Sequence, residues 1–417
     1  MKGSENGFKE TELGPLPEDW KVVKLGEVCE VIMGQSPPGK TYNTEGNGMP
    51  FLQGKAEFGN IYPTHIKYTT QPLKIAPPNT VLISVRAPVG DVNLADIAYC
   101  IGRGLASLSM RNGNNTYLFY CLEYLKPLLE KQGTGSTFMA INKSKLEKFP
   151  IPLPPLSEQE RIAGVLSAIQ GVIEKTERVI RANRELKRSL MKHLFTYGPV
   201  PVNNVDSVKL KDTEIGKIPE HWNVVKLGEV CDVKSGGTPS KKKREYWENG
   251  NIPWIRSEKC QDCFIDKVSD FITESGLENS SAKIFGSGTV LVAMVGATLG
   301  KTGYLKIPAS TNQNIAGLFP TVNNLIGLFL FYCMQSRYKF FSKEGGYKIA
   351  NLSFIKSFPI PLPPLSEQGR IAEVLSAVDE KIQAEERKKR ALEGLFKSML
   401  HHLMTGKIRV KDLNIEV

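Results

Sequence analysis

The segment FPIPLPPLSEQ at Phe149–Gln159 returns letter for letter at Phe358–Gln368, and this repeat constrains the fold more than any other feature. The match continues from Arg161-Ile162-Ala163 to Arg370-Ile371-Ala372, and from Val165–Ala168 to Val374–Ala377. A second block, VVKLGEVC at Val22–Cys29, returns at Val224–Cys231, with Trp20 matching Trp222 and Pro17 matching Pro219. Two copies at so long a period make a duplicated domain, since a solenoid needs at least three short repeats. Between the blocks the halves diverge: Pro50-Phe51-Leu52-Gln53 faces Pro253-Trp254-Ile255-Arg256, and little else is shared. The frame is constant and the filling varies. The ends also match across the halves, Met191–Thr196 with Leu400–Thr405 and Thr11–Gly14 with Thr213–Gly216. The end of the chain is therefore placed to run back into its start, as in a cyclic pair with an approximate two-fold axis. The expected division is a globular domain over 1–150, a helix over 151–200, a second globular domain over 201–358 and a second helix over 359–417.

The 417 residues are 41% hydrophobic and 23% charged, with a mean hydropathy of −0.22. That is an ordinary globular composition, neither disordered nor collagenous. A net charge of +11 favours a polyanionic partner. Seven cysteines without framework spacing suit a reducing compartment. The opening MKGSENGFKE has no charged n-region followed by an apolar h-region, so no signal peptide is expected, and the apolar runs fall short of the ~18 residues of a membrane span. A cytoplasmic protein without membrane contact is expected.

Each middle reads as mixed α/β. Apolar, β-branched runs bounded by Gly, Pro and Asn predict strands over Thr80–Val85, Leu105–Met110, Val290–Val295 and Ile315–Pro320. Helical spacing predicts helices over Asn115–Lys131 and Asn323–Lys343. Pro150, Pro152, Pro154 and Pro155, matched by Pro359, Pro361, Pro363 and Pro364, forbid helix and impose an extended, stiff connector. Ser157 with Glu160 then predicts a capping box, although the second copy has Gly369 opposite Glu160. Apolar residues follow at alternating steps of three and four: Ile162, Val165, Ile169, Val172, Thr176, Val179, Asn183, Leu186 and Leu190. The second helix offers Ile371, Leu375, Val378, Ile382, Leu392, Leu395, Met399 and Leu403, interrupted by the charged run Glu385–Arg390. These are coiled-coil seams, and two rods of ~60 Å cannot bury their stripes alone, so they pack on each other, antiparallel if the two-fold holds. Asn183 on the seam is expected to fix their register.

Signatures of catalysis are sparse. Val295–Thr302 ends in GKT like a P-loop, but Val295 stands where the first glycine belongs and Gly303-Tyr304 follows instead of a helix. A Gly-rich hairpin carrying Lys301 toward phosphate fits better than a nucleotide site. Cys260-Gln261-Asp262-Cys263 is a lone CxxC without the second pair a structural zinc needs, and the five histidines show no metal spacing.

The duplicated PLPPLSEQ at Pro152–Gln159 and Pro361–Gln368, the W-x-x-x-x-L-G-E-V pattern at Trp20–Val28 and Trp222–Val230, and Gly236–Ser240 leading to Ile252–Arg256 together resemble the specificity subunit of type I restriction-modification enzymes. The resemblance spans nearly the whole chain. It implies two target recognition domains, each reading one half of an asymmetric, split double-stranded DNA target, with antiparallel helices as spacer. It implies no catalysis in this chain. Two methyltransferase and two restriction subunits would supply that, using S-adenosylmethionine, ATP and Mg. Gly34-Gln35-Ser36-Pro37-Pro38 departs from the Gly-Gly-Thr-Pro of the second copy, so the resemblance leaves the geometry of the first loop open.

Candidate DNA contacts follow from charge and polarity. In the second domain they are Lys241, Lys242, Lys243 and Arg244 with Tyr246 and Trp247 for stacking, then Arg256, Lys259, Lys301, Asn312, Gln313, Asn314, Tyr347 and Lys348. In the first they are Lys40, Tyr42, Gln53, Lys55, Arg86, Arg103, Ser136, Thr137, Asn142 and Lys143. The outward helix charges Arg178, Arg181, Arg184, Lys187, Arg188 and Arg387–Arg390 are expected to dock methyltransferase subunits or line the DNA between half-sites. The competing reading is a non-catalytic two-domain adaptor for protein or RNA.

Overall fold

The computed structural model describes residues 7–132, 140–338 and 350–410. The chain divides into two compact units, one of Met1–Glu177 with Arg387–Val417 and the other of Arg178–Glu386. The C-terminal stretch thus belongs with the N-terminal domain, as the matching ends predict.

In the first unit a four-stranded sheet runs in the order Val92–Leu94, Val81–Ser84, Leu105–Met110, Cys29–Met33. A five-stranded sheet holds Met49–Leu52 beside Tyr99–Ile101, and these two are parallel, with Phe51 opposite Cys100. The second unit keeps this plan: Thr302–Leu305, Val290–Ala293, Ile315–Pro320 and Cys231–Ser235 lie in the corresponding order, with Cys263–Ile265 added outside. Its parallel pair is Ile252–Ile255 with Ala309–Thr311. The runs VLIS and VLVA are buried at every position because their alternating side chains serve two cores. Val81 and Ile83 pack with helix Asn115–Gln132, whereas Leu82 packs with Leu52, Tyr99 and Ile101. Val290 and Val292 likewise face one core while Leu291 and Ala293 face another.

The predicted strands stand, two of them trimmed at the ends. Helix Asn115–Gln132 matches its expected span. The second begins at Gly327, not Asn323, because Asn324 and Ile326 are drawn into bonds with Gln368. The proline segments are extended, as expected, but they are also strands: Pro150–Leu153 pairs antiparallel with Lys21–Lys24, and Pro359–Leu362 with Asn223–Lys226. Prolines at alternate positions are tolerated on such an edge. The two longest repeated blocks are therefore hydrogen-bonded partners.

The long helices are Leu156–Tyr197 and Leu365–Met404. The capping box at Ser157 does not form. The helix already includes Leu156, and the Pro155 carbonyl accepts from the Glu158 and Gln159 amides. Glu158 and Gln159 turn inward instead. Glu158, 1% exposed, accepts from Trp20 Nε1 at 3.0 Å and from Arg409 Nε at 2.8 Å. Arg409 Nη2 also reaches Asp19 at 2.6 Å. In the second unit Glu367 takes the Trp222 indole at 2.8 Å and His221 at 2.8 Å. Gln159 bonds the Asn114 amide and the Pro154 carbonyl, and Gln368 the Ile326 amide and the Pro363 carbonyl. The repeated Trp and the repeated Ser-Glu-Gln are thus two halves of one latch.

Within each unit the helix segments pair antiparallel. Glu177 meets Lys389 at 2.7 Å in the first; in the second, Arg184 meets Glu386 at 2.7 Å and Lys187 meets Asp379 at 2.8 Å. Ile162 and Leu166 share a core with Leu400 and Leu403, and Leu194 and Phe195 share one with Ile371 and Leu375. Of the predicted seam, Ile162, Thr176, Asn183, Ile371, Leu375 and Ile382 are buried, and Val165, Ile169, Leu190 and Val378 are partly so. Leu186 is not a seam residue: it is 48% exposed, and Val172 and Val179 are 39% and 38% exposed. The stripe takes the other residue of each apolar pair, Leu166, Ile173 and Ile180. Asn183 donates to the Val179 carbonyl of its own helix at 2.8 Å, so its amide does not tie the two helices in register. The charged run does not break the second helix, because Glu386 and Lys389 take ion-pair partners across the seam. Lys187 is not outward-facing; it is 14% exposed and lies over the Tyr332 ring.

Candidate nucleic-acid interface

In each unit three loops converge at the carboxyl ends of the parallel strand pair. In the first, Gly34 N bonds the Leu105 carbonyl, Gln35 N the Ile101 carbonyl, and Gly102 N the Leu52 carbonyl. A Cβ on Gly34 would lie 2.2 Å from the Gly102 carbonyl oxygen, so only glycine permits that approach. The loops after Met33, after Leu52 and after Ile101 are thereby pressed together. They carry Ser36, Gln53 and Arg103. In the second unit Gly237 N bonds the Thr311 carbonyl and Asn312 N the Ile255 carbonyl, bringing together Thr238, Arg256 and Gln313. The frame extends further: Val85 N bonds Gly104 and Ile141 N bonds Val85, while Met294 N bonds Asn314 and Ala350 N bonds Met294. Arg86 and Asn142 therefore border the first cluster. The same backbone scaffold presents different side chains in the two units.

Gln53, Arg86, Arg103 and Lys40 are exposed, as are Lys241, Lys242, Lys259 and Gln313. Among the described residues none of these cations lies within 4.0 Å of a carboxylate. Lys55 is half committed, 2.7 Å from Asp91. Burial pushes the Asp91 carboxyl up, but hydrogen bonds and charge from Lys126 and Lys55 outweigh it and hold the group below its ordinary value. Arg256 Nε meets Asp270 at 3.0 Å, and its guanidinium lies over the Trp254 ring. Asn142 caps helix Lys143–Glu147 by accepting from Lys145 N, and Lys143 pairs with Glu147 at 3.7 Å. Asn312 Oδ1 accepts from Asn314 N, which shapes the loop around Gln313.

The aromatic candidates take partners within the protein. Tyr246 is buried, with its hydroxyl accepting from Lys243. Trp247 packs edge-on against Trp254 and donates to the Ser240 carbonyl. Tyr42 stacks on Phe51 and donates to the Pro37 carbonyl. Trp247 joins the small core of Trp254, Ile272 and Ala282. Arg244 is exposed with Glu248 3.9 Å away. Ser136, Thr137, Tyr347 and Lys348 lie outside the described residues.

Lys301 is also drawn inward, 2.5 Å from Asp262 Oδ2 and over the Tyr338 ring. Asp262 Oδ1 accepts from both the Thr302 amide and hydroxyl. The CxxC is thus a turn whose aspartate clasps the Gly-Lys-Thr segment, with Cys260 buried and its thiol raised by burial. Gly296–Lys301 joins two antiparallel strands, and a hairpin there provides no helix N-terminus for phosphate. Among the described residues no group of three or more His, Cys, Asp or Glu could hold a metal ion, and no helix is long and apolar enough to cross a membrane. Ser36 and Thr238 are the members of the clusters that sequence reasoning missed as site residues; their position in the matched Gly-x-Ser/Thr-Pro loops was the available signal.

Two globular domains on one repeated plan, each with a helix leaving through a Trp-latched proline strand, define a duplicated recognition architecture. The type I restriction modification DNA specificity domain matches twice, over residues 17–182 and 219–394, and the chain belongs to that family. The type I restriction enzyme MjaVIII specificity subunit of Methanocaldococcus jannaschii is 30% identical over 98% of each chain. Another protein of that organism, provisionally named as the MjaX specificity subunit, is 51% identical over 45% of each chain. The crystal structure of an S subunit from M. genitalium shares the fold, with a TM-score of 0.66 at 19% identity over 97% of this chain and 98% of that one.

Proposed function

We propose that the chain acts as the sequence-reading subunit of a type I restriction-modification enzyme through the two loop clusters. Ser36, Gln53, Arg86 and Arg103 face one half of a bipartite duplex, and Thr238, Arg256, Lys259 and Gln313 face the other. The carrying observation is that one backbone scaffold occurs twice with different polar side chains at matched positions. Different readers on equal frames require different half-sites, and the target is asymmetric. Arg and Gln are suited to base edges in the major groove, while Lys40, Lys241 and Lys242 supply sequence-independent phosphate contacts. The helices set the spacing. Their exposed Arg178, Arg181 and Arg188 face the methyltransferase subunits or the DNA between half-sites. Two methyltransferase and two restriction subunits carry the chemistry, with S-adenosylmethionine, ATP and Mg bound by those partners, and this chain itself is non-catalytic.

Arg103→Ala and Arg256→Ala, each in the full chain assembled with its methyltransferase subunits, test the reading. Each variant should lose roughly tenfold in affinity for the cognate duplex, about 1–3 kcal/mol, and relax a different half-site. Unchanged binding in both, or relaxation of the same half-site by both, would show that these loops are not the readers.

A further inference from the structure

Thr238 Oγ1 donates to Gln313 Oε1 at 2.5 Å. Both partners sit on fixed backbone. The Thr238 loop is held by Gly237 N on the Thr311 carbonyl at 2.8 Å and by Trp254 Nε1 on the Gly237 carbonyl at 3.0 Å. A Cβ on Gly236 would lie 2.1 Å from the Thr311 carbonyl oxygen, an approach open only to glycine. The Gln313 loop is held by Asn312 N on Ile255, by Asn314 N on Asn312 Oδ1, and by Met294 N on the Asn314 carbonyl. The hydroxyl therefore meets a side chain that leaves from a fixed point of the backbone. A free glutamine reads adenine by presenting both ends of its amide, accepting from N6 and donating to N7. Here the carbonyl oxygen already accepts from Thr238, so the freer end of the exposed amide is Nε2 with its two hydrogens. The neighbouring Arg256 offers donors alone. In the first unit the matched hydroxyl, Ser36 Oγ, instead accepts from the Arg103 backbone amide at 3.3 Å, a bond to the main chain and not to the side chain. The device belongs to the second cluster.

We propose that Thr238 is a positioning residue that locks the Gln313 amide as a donor, making Gln313 a specificity determinant for an acceptor edge, guanine O6 and N7, in the half-site of the second domain. This rests on the reading that the loop clusters contact bases. The test is selection from randomised duplexes by the full chain assembled with its methyltransferase subunits. The wild type should select a gapped motif with guanine at one position of that half-site. Thr238→Val should admit adenine there, with discrimination falling about tenfold. Thr238→Ser should keep the wild-type preference, and Gln313→Ala should lose it at that position alone. A gapped motif left unchanged by Thr238→Val or by Gln313→Ala would overturn the proposal while leaving the two-cluster reading intact. A wild-type selection without any gapped motif would overturn both.

Discussion

Glu158 lies buried between the Trp20 indole and the Arg409 guanidinium, and a carboxylate so placed depends on both partners. Replacing Arg409 with Met removes the counter-charge and keeps most of the volume. Loss of one member of a buried pair costs about 3–5 kcal/mol; Arg409 is itself partly exposed, so a loss nearer about 2–3 kcal/mol is expected, read as a lowered denaturation midpoint of the full chain. A midpoint equal to wild type would mean that the latch does not hold the C-terminal segment. This network was half legible. The sequence displayed Trp20 and Glu158 as repeated letters, but spacing along a chain cannot show that two distant repeats touch. It also suggested a cap at Ser157, because cap preference is local and the inward pull on Glu158 is not. Lys301 is drawn inward in the same way, by Asp262, 39 residues earlier in the chain.

At the scale of elements, the period of the long helices was readable and its phase was not. Apolar residues stand side by side at Val165-Leu166, Val172-Ile173 and Val179-Ile180, so two alternating paths of three and four fit the letters equally well. Packing resolves the choice in favour of the Leu166, Ile173 and Ile180 path. Leu166→Ala should therefore destabilise by about 2–5 kcal/mol, and Leu186→Ala by no more than about 0.5 kcal/mol, measured by chemical denaturation. Equal costs would show that the assigned stripe is wrong. Strands were easier, since Leu105–Met110 and Ile315–Pro320 carry apolar runs closed by Asn, Gly or Pro. The pairing of the proline segments was hidden, because proline-rich extension reads as a connector until its partner strand is known.

For the whole molecule, the duplication foretold that the C-terminal stretch joins the N-terminal domain, and the division of the chain follows it. What the letters could not show is which candidate residues lie together. The variable middles spread their polar residues over about a hundred positions each, and the convergence of three loops at the parallel strand ends is what brings Gln53 near Arg103, and Arg256 near Gln313. If each middle is an independent reader, exchanging Pro50–Phe149 for the corresponding segment of a relative should alter one half of the target. Sequencing methylated adenines in a host producing the hybrid complex measures this directly. Independent readers give a gapped motif with one half-site replaced and the other half-site and spacing retained; a motif altered in both halves, or in neither, would rule them out.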